Sequence, residues 1–171
     1  MEVRGIICWE SAPASALEVC LAEQPEVLIL DLEPLLLDWR SPAEAEVPDW
    51  SAIVTTAARA GVRTLVVLTN SRRDVSNLGW VPPEARDLAV RVIRRAWKPW
   101  TARRKLGLDD HALRGVVCGD VALTDGLLAI RLRYGFVHLT VKGPPVYPRM
   151  QDLLGRCLLR RYFRTDSTDR L

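Results

Sequence analysis

Apolar residues in this chain fall into short continuous runs, separated by longer stretches in which apolar and polar positions mix. Val27 to Leu30 is one run, bounded by Pro25 and Asp31. Thr64 to Thr69 (TLVVLT), introduced by Gly61, is a second, and Val90, Val92 and Ile93 mark a weaker third. Arg114 to Cys118 (RGVVC) leads into Gly119-Asp120, and Phe136 to Val141 (FVHLTV) is stopped by Gly143-Pro144-Pro145. Continuous β-branched runs of this length predict strands buried on both faces, as in a parallel sheet.

The stretches between the runs predict helices. Residues 49 to 60 begin at Asp49, a suitable N-cap, and end at Gly61, a suitable C-cap. Residues 99 to 106 place Pro99 in a first turn and stop before Gly107. Residues 122 to 133 carry Leu123, Leu127, Ile130 and Leu132 near helical spacing. Alternation of strand and helix predicts a Rossmann-like, doubly wound α/β fold with a mostly parallel sheet. One domain over residues 1–164 accommodates these elements, with 165–171 expected to fray. Residues 40 to 48 (RSPAEAEVP) form a polar, proline-flanked loop.

Composition narrows the function classes only a little. With 171 residues, 49% of them hydrophobic, the chain can build a real core and is not a disordered segment. A net charge of +3 is too small to argue for nucleic acid, and none is expected as a partner. No apolar run is long enough to span a bilayer and no signal-peptide layout is present, so a cytoplasmic location is expected. The cysteines at 8, 20, 118 and 157 form no C-x-x-C pair, and only two histidines accompany them. They read as reduced, mostly buried thiols rather than zinc ligands.

Candidate chemistry gathers where the strands end. In an open parallel sheet, ligands bind beyond the carboxyl ends of the strands. Asp31, Leu32 and Glu33 follow the first run; Thr69, Asn70 and Ser71 the second; Lys98 comes after the third; Gly119, Asp120, Thr124 and Asp125 follow the fourth. Two or three carboxylates can hold a hard divalent cation. One carboxylate can attack phosphorus, and a hydroxyl, an amide and a lysine can cradle phosphoryl oxygens. Residue by residue, blander roles compete: Thr69 and Asn70 as a turn, Lys98 as a solvated cation beside Arg94 and Arg95, Asp125 as a helix N-cap.

Together these residues resemble the haloacid dehalogenase-like phosphatases. That superfamily's first motif, an apolar strand followed by D-x-D-x-T/V, reads here Leu28-Ile29-Leu30-Asp31-Leu32-Glu33-Pro34-Leu35. Its second, a strand ending in Ser or Thr, reads Val66-Val67-Leu68-Thr69-Asn70; its third is Lys98 in Ala96-Trp97-Lys98-Pro99. Its fourth, G-D-x(3,4)-D, reads Gly119-Asp120-Val121-Ala122-Leu123-Thr124-Asp125. Asp38-Trp39, Asn70, the Lys98-Pro99 pair and the Thr124-Asp125 ending look like the capless phosphatidylglycerophosphate phosphatase branch. The short spans between motifs leave no room for a large cap.

The resemblance implies a role for each matched position. Asp31 is the implied nucleophile, forming an aspartyl-phosphate. Asp31 and Asp120, with the backbone carbonyl of Glu33, are the implied ligands of Mg2+. Asp125 joins them through water or orients Lys98. Thr69 and Asn70 bind the phosphoryl group, and Lys98 neutralises it. The implied substrate is a phosphorylated small molecule or a phospholipid such as phosphatidylglycerophosphate.

One departure qualifies the implied activity. The family places an aspartate acid/base two residues after the nucleophile, where this chain has Glu33. One extra methylene moves the carboxyl tip by roughly 1 Å, and misplacement on that scale can cost about 100-fold in rate. Pro34 removes a backbone donor and Leu35 offers no hydroxyl. Two expectations follow: a magnesium-dependent phosphatase in which Glu33 still works, or a catalytically impaired relative that binds a phosphorylated ligand or a protein partner.

Residues 147 to 164 interleave Leu153, Leu154, Leu158 and Leu159 with Arg149, Arg156, Arg160, Arg161 and Arg164. The segment reads as a C-terminal helix with its leucines packed on the sheet and its arginines in water. A peripheral membrane contact is the alternative. Trp97 and Trp100 flank Lys98, as core aromatics or as an amphipathic rim.

Overall fold

A computed structural model describes residues 9–10, 13–33, 35–37, 49–71, 76–108, 113–140, 146–159 and 162. In chain order the elements are β1 (Trp9–Glu10), α1 (Pro13–Ala22), β2 (Val27–Asp31), α2 (Trp50–Arg59), β3 (Thr64–Leu68), β4 (Ala89–Ile93), α3 (Arg103–Leu106), β5 (Gly115–Gly119), α4 (Leu127–Leu132), β6 (Gly135–Leu139) and α5 (Val146–Leu159). The strands form one sheet in the order β1-β6-β5-β2-β3-β4, every pairing parallel. The fold is Rossmann-like, and among the described residues no large cap stands over the sheet.

Each of the five apolar runs became a strand, and the four strongest are sandwiched between two layers. Side chains alternate across a strand. Leu28, Leu30, Leu65 and Val67 therefore enter a core closed by α1 and α2 through Ala16, Cys20, Val54 and Ala57. Val27, Ile29, Val66 and Leu68 enter a second core on the other face, closed by Leu106, Leu128, Leu132 and Leu159. Full burial of a leucine, isoleucine or valine contributes about 1.5–3 kcal/mol relative to exposure, so both faces of β2 are strongly held in register. The weak third run is β4, an edge strand whose Ala89 and Arg91 are exposed.

Helix α2 starts after Asp49 as expected, but Asp49 lies at φ 54 and its side chain makes no capping hydrogen bond. Gly61, just past its end, has φ +84, which glycine reaches without a Cβ penalty. The helix expected over 99–106 is shorter. The chain from Ala96 to Thr101 is a turn in which the Trp100 N–H bonds the Trp97 carbonyl at 2.7 Å and the Thr101 hydroxyl bonds the Ala96 carbonyl. Those local bonds take the place of the first helical turn. The helix expected over 122–133 is split into a wide π-type turn, Ala122–Gly126, and α4.

Helix α5 forms, but of its four leucines only Leu159 packs on the sheet and the other three face outward. Gly155 and Leu159 are buried, with Asp152 and Arg156 partly so, while Leu153, Leu154 and Leu158 are 66%, 53% and 56% exposed. The reason is a close backbone approach. A Cβ on Gly155 would lie 2.2 Å from the Leu123 backbone nitrogen, so the helix docks through its glycine face. Cys20 and Cys118 are buried free thiols, whereas Cys157 is exposed on the outer side of α5, against the expectation of burial. No described helix is long and apolar enough to cross a membrane. Cys8, Pro34, Asp38, Trp39, the loop 40–48 and the tail 165–171 lie outside the described residues.

Candidate functional site

The strand order reverses at β2. Its sequence successor β3 pairs on one side, and β5 pairs on the other. Leu30 stands beside Cys118, so one residue later Asp31 is level with Gly119 and Asp120 follows. A crevice at such a switch point, outside the carboxyl ends, is where this architecture binds ligands.

Lys98 reaches the crevice on the turn after β4, which hangs from the end of β3. The Ala96 N–H bonds the Thr69 carbonyl at 3.0 Å, and the Lys98 N–H bonds Asn70 Oδ1 at 3.1 Å. Asp125 arrives on the π-type turn, whose geometry is set by its own backbone and carboxylate. Its N–H bonds the Val121 carbonyl at 2.8 Å, and its Oδ2 accepts from the Val121 N–H at 3.3 Å. Gly119 is required beneath it, since a Cβ there would sit 2.4 Å from Asp125 Oδ2.

These elements converge on one buried charge cluster. Lys98 Nζ lies 2.5 Å from Asp31 Oδ2 and 2.8 Å from Asp125 Oδ1, with all three side chains almost wholly buried. Asp31, Asp120 and Asp125 each offer an oxygen within 4.8 Å of the others, a set that can hold a metal ion. Asp120 Oδ1 is buried and has no hydrogen-bond partner, as expected of an oxygen that awaits a ligand.

The electrostatics follow from burying three carboxylates with one cation. Burial, then the Asp125 charge, pushes the Asp31 carboxyl well above the usual range, against the pull of Lys98. Burial and Asp125 push Asp120 up to about 8. Burial alone would lower the Lys98 ammonium, but the carboxylates of Asp125 and Asp31 outweigh it and hold Lys98 above its ordinary value. Lys98 is therefore a fixed charge, not one more solvated cation.

Glu33 is not one of the carboxylates in the set that can hold a metal ion. It is buried, its Oε2 accepting from the Thr69 hydroxyl at 2.8 Å and its Oε1 from the Ser71 hydroxyl at 2.9 Å. The extra methylene of Glu33 is thus taken up by a hydroxyl pair on the β3 side of the crevice. Thr69 is wholly buried and serves this network, while the exposed Asn70 organises the Lys98 turn.

No protein-family model, curated protein or solved structure matches this chain. The chemistry of the site therefore stands on its own geometry.

Asp31, Lys98, Asp120 and Asp125 are brought together, and Glu33, Thr69 and Ser71 form an adjoining group. Two further residues escaped the sequence reading. Asp152 of α5 accepts from the Ala122 N–H at 3.1 Å, pairs with the buried His138 at 2.7 Å and holds Arg156 at 2.6 Å. Partial burial would raise the Asp152 carboxyl, but the hydrogen bond and charge of His138, the Ala122 N–H and Arg156 together outweigh it and lower the carboxyl below its ordinary value, so it stays ionised and pins the turn that carries Asp125. Its one sequence signal is being the sole acidic residue in the basic segment 147–164.

Proposed function

We propose that the chain is a magnesium-dependent phosphomonoesterase of the haloacid dehalogenase-like type, acting through Asp31. The observation that carries the reading is Lys98 held between Asp31 and Asp125 at the switch point, with an unsatisfied Asp120 oxygen in the same cluster. Mg2+ fits this set, being a hard cation that favours carboxylate oxygens. When bound by Asp31, Asp120 and Asp125, it would shield the charge between nucleophile and phosphate.

The remaining chemistry belongs to the chain. An Asp31 oxygen attacks phosphorus, and the substrate's ester oxygen departs with a proton from Glu33. Glu33 then takes a proton from water, whose oxygen attacks the same phosphorus, releasing inorganic phosphate and restoring Asp31. Lys98 pulls the Asp31 carboxyl toward its ionised form against burial and the Asp125 charge, and Thr69 donates to the phosphoryl oxygens once its hydroxyl leaves Glu33. The open carboxyl end suits a phosphate on a large or lipid substrate such as phosphatidylglycerophosphate. A cytoplasmic setting belongs to the same proposal.

A second reading has a specific observation behind it. Glu33 is already engaged by two hydroxyls, which favours a site that binds phosphate without turning it over. Phosphate release from phosphatidylglycerophosphate and from an aryl phosphate separates the two. The enzyme reading expects Mg2+-dependent release. Absence of release that Glu33→Asp restores would establish the binding reading instead.

A further inference from the structure

The helical layer that closes the second core has an outer surface unlike the rest of the molecule. It comprises residues 94–108, α4 and α5. Trp80 and Tyr162 apart, every exposed large hydrophobic side chain among the described residues lies on it. Trp97 and Trp100 are 77% and 70% exposed beside the buried Lys98. Along α5, Val146, Tyr147, Met150, Leu153, Leu154 and Leu158 form a continuous apolar stripe opposite the glycine face.

Charge is segregated in the same way. Residues 88–108 and 126–164 contain Asp152 as their single acidic residue. Asp152 points inward, onto His138 and the Ala122 N–H. The exposed charges of the layer are basic, among them Arg94, Arg95, Arg104, Lys105, Arg131 and Arg149. Arg131 lies over the Trp100 ring at 5.3 Å, which joins α4 to the tryptophan turn. The opposite layer mixes signs, with Glu18, Glu84 and Asp87 exposed alongside Arg59 and Arg86.

We infer that this layer docks on an anionic lipid bilayer. A row of exposed aliphatic side chains gains by entering the headgroup–acyl boundary, amphipathic tryptophans favour that depth, and arginines contact lipid phosphates. A nucleic-acid face would use the arginines and tryptophans but leave the leucine stripe in water, so the stripe favours lipid. A second copy of the chain would cover the stripe but bring like charges together. Docking holds the Lys98 turn against the bilayer, and it does not depend on how the carboxylate site is read.

The test is co-flotation of the full chain with vesicles of phosphatidylcholine, with and without phosphatidylglycerol. Binding is expected only with phosphatidylglycerol, weakening as salt rises. Leu153→Glu with Leu158→Glu is expected to weaken binding more than about tenfold. Arg104→Glu with Lys105→Glu, on a different element of the same layer, is expected to weaken it too, so an unfolded α5 variant does not leave the inference unchecked. Trp emission should shift to the blue on binding. Failure to float with either vesicle would overturn the inference, as would binding unchanged in both variants. Salt-steep RNA binding, or dimerisation abolished by the α5 variant, with no vesicle binding, would reassign the surface to that partner.

Discussion

Replacing Lys98 by Met removes the one cation from a cluster of three buried carboxylates. Lys98 Nζ contacts two of them, at 2.5 and 2.8 Å, and both partners are almost wholly buried. Breaking a buried ion pair from one side costs about 3–5 kcal/mol. The carboxylates can escape part of that cost by taking up protons, so the loss depends on pH. Asp31 is raised well above its ordinary value and Asp120 to about 8 even with Lys98 present. Where the folded state holds protons that the unfolded chain has shed, stability falls as pH rises. For Asp120 that window runs from 3.8 to about 8. Urea unfolding of Lys98→Met should therefore show its full loss, about 3–5 kcal/mol, at the alkaline end of the window, and a smaller loss at its acid end. Mg2+ should recover part of the alkaline loss by binding the folded state alone. An equal loss at both ends, or none, would refute a buried Asp31–Lys98–Asp125 cluster.

Gly119→Ala should push Asp125 off Lys98, since the new Cβ falls 2.4 Å from its Oδ2; loss of Mg2+ binding by calorimetry with the fold retained by circular dichroism is the expected pair of results. Gly155→Ala should separate α5 from the turn at Ala122–Leu123, because the clash at 2.2 Å is with backbone that cannot swing aside; a drop of about 1–3 kcal/mol is expected in urea unfolding. With Asp120 pushed to about 8, Mg2+ should displace a proton below that pH. Apparent affinity should then rise with pH and level off above about 8, as read by titration calorimetry in buffers of different ionisation enthalpy.

The sheet was legible because its strands are apolar on both faces, so Val27–Leu30 and Thr64–Thr69 stand out without any alternation. The two-residue edge strand β1 begins at the last residue of a short apolar patch near the N-terminus, which was not read as a strand. Asp31, Thr69, Lys98, Asp120 and Asp125 were legible because parallel topology puts every strand's carboxyl end at one place. What could not be read was which oxygen meets which hydrogen: the Glu33–Ser71 bond spans 38 residues and depends on side-chain conformation. Leu159 packs on the sheet as expected, but Leu153, Leu154 and Leu158 were misread for a physical reason. Hydropathy selects the greasy face of a helix, but close packing on a neighbouring backbone selects the small one, here Gly155.

Asp31 as phosphoryl acceptor is the central step of the proposed chemistry. Glu33→Gln can still let Asp31 attack an aryl phosphate, whose leaving group needs no proton, but cannot activate water for the second step. Acid-quenched mass spectrometry of that variant, incubated with an aryl phosphate and Mg2+, should find covalent phosphate on Asp31, lost in the added Asp31→Asn background. Phosphate absent from Asp31, or carried on another residue, would contradict it.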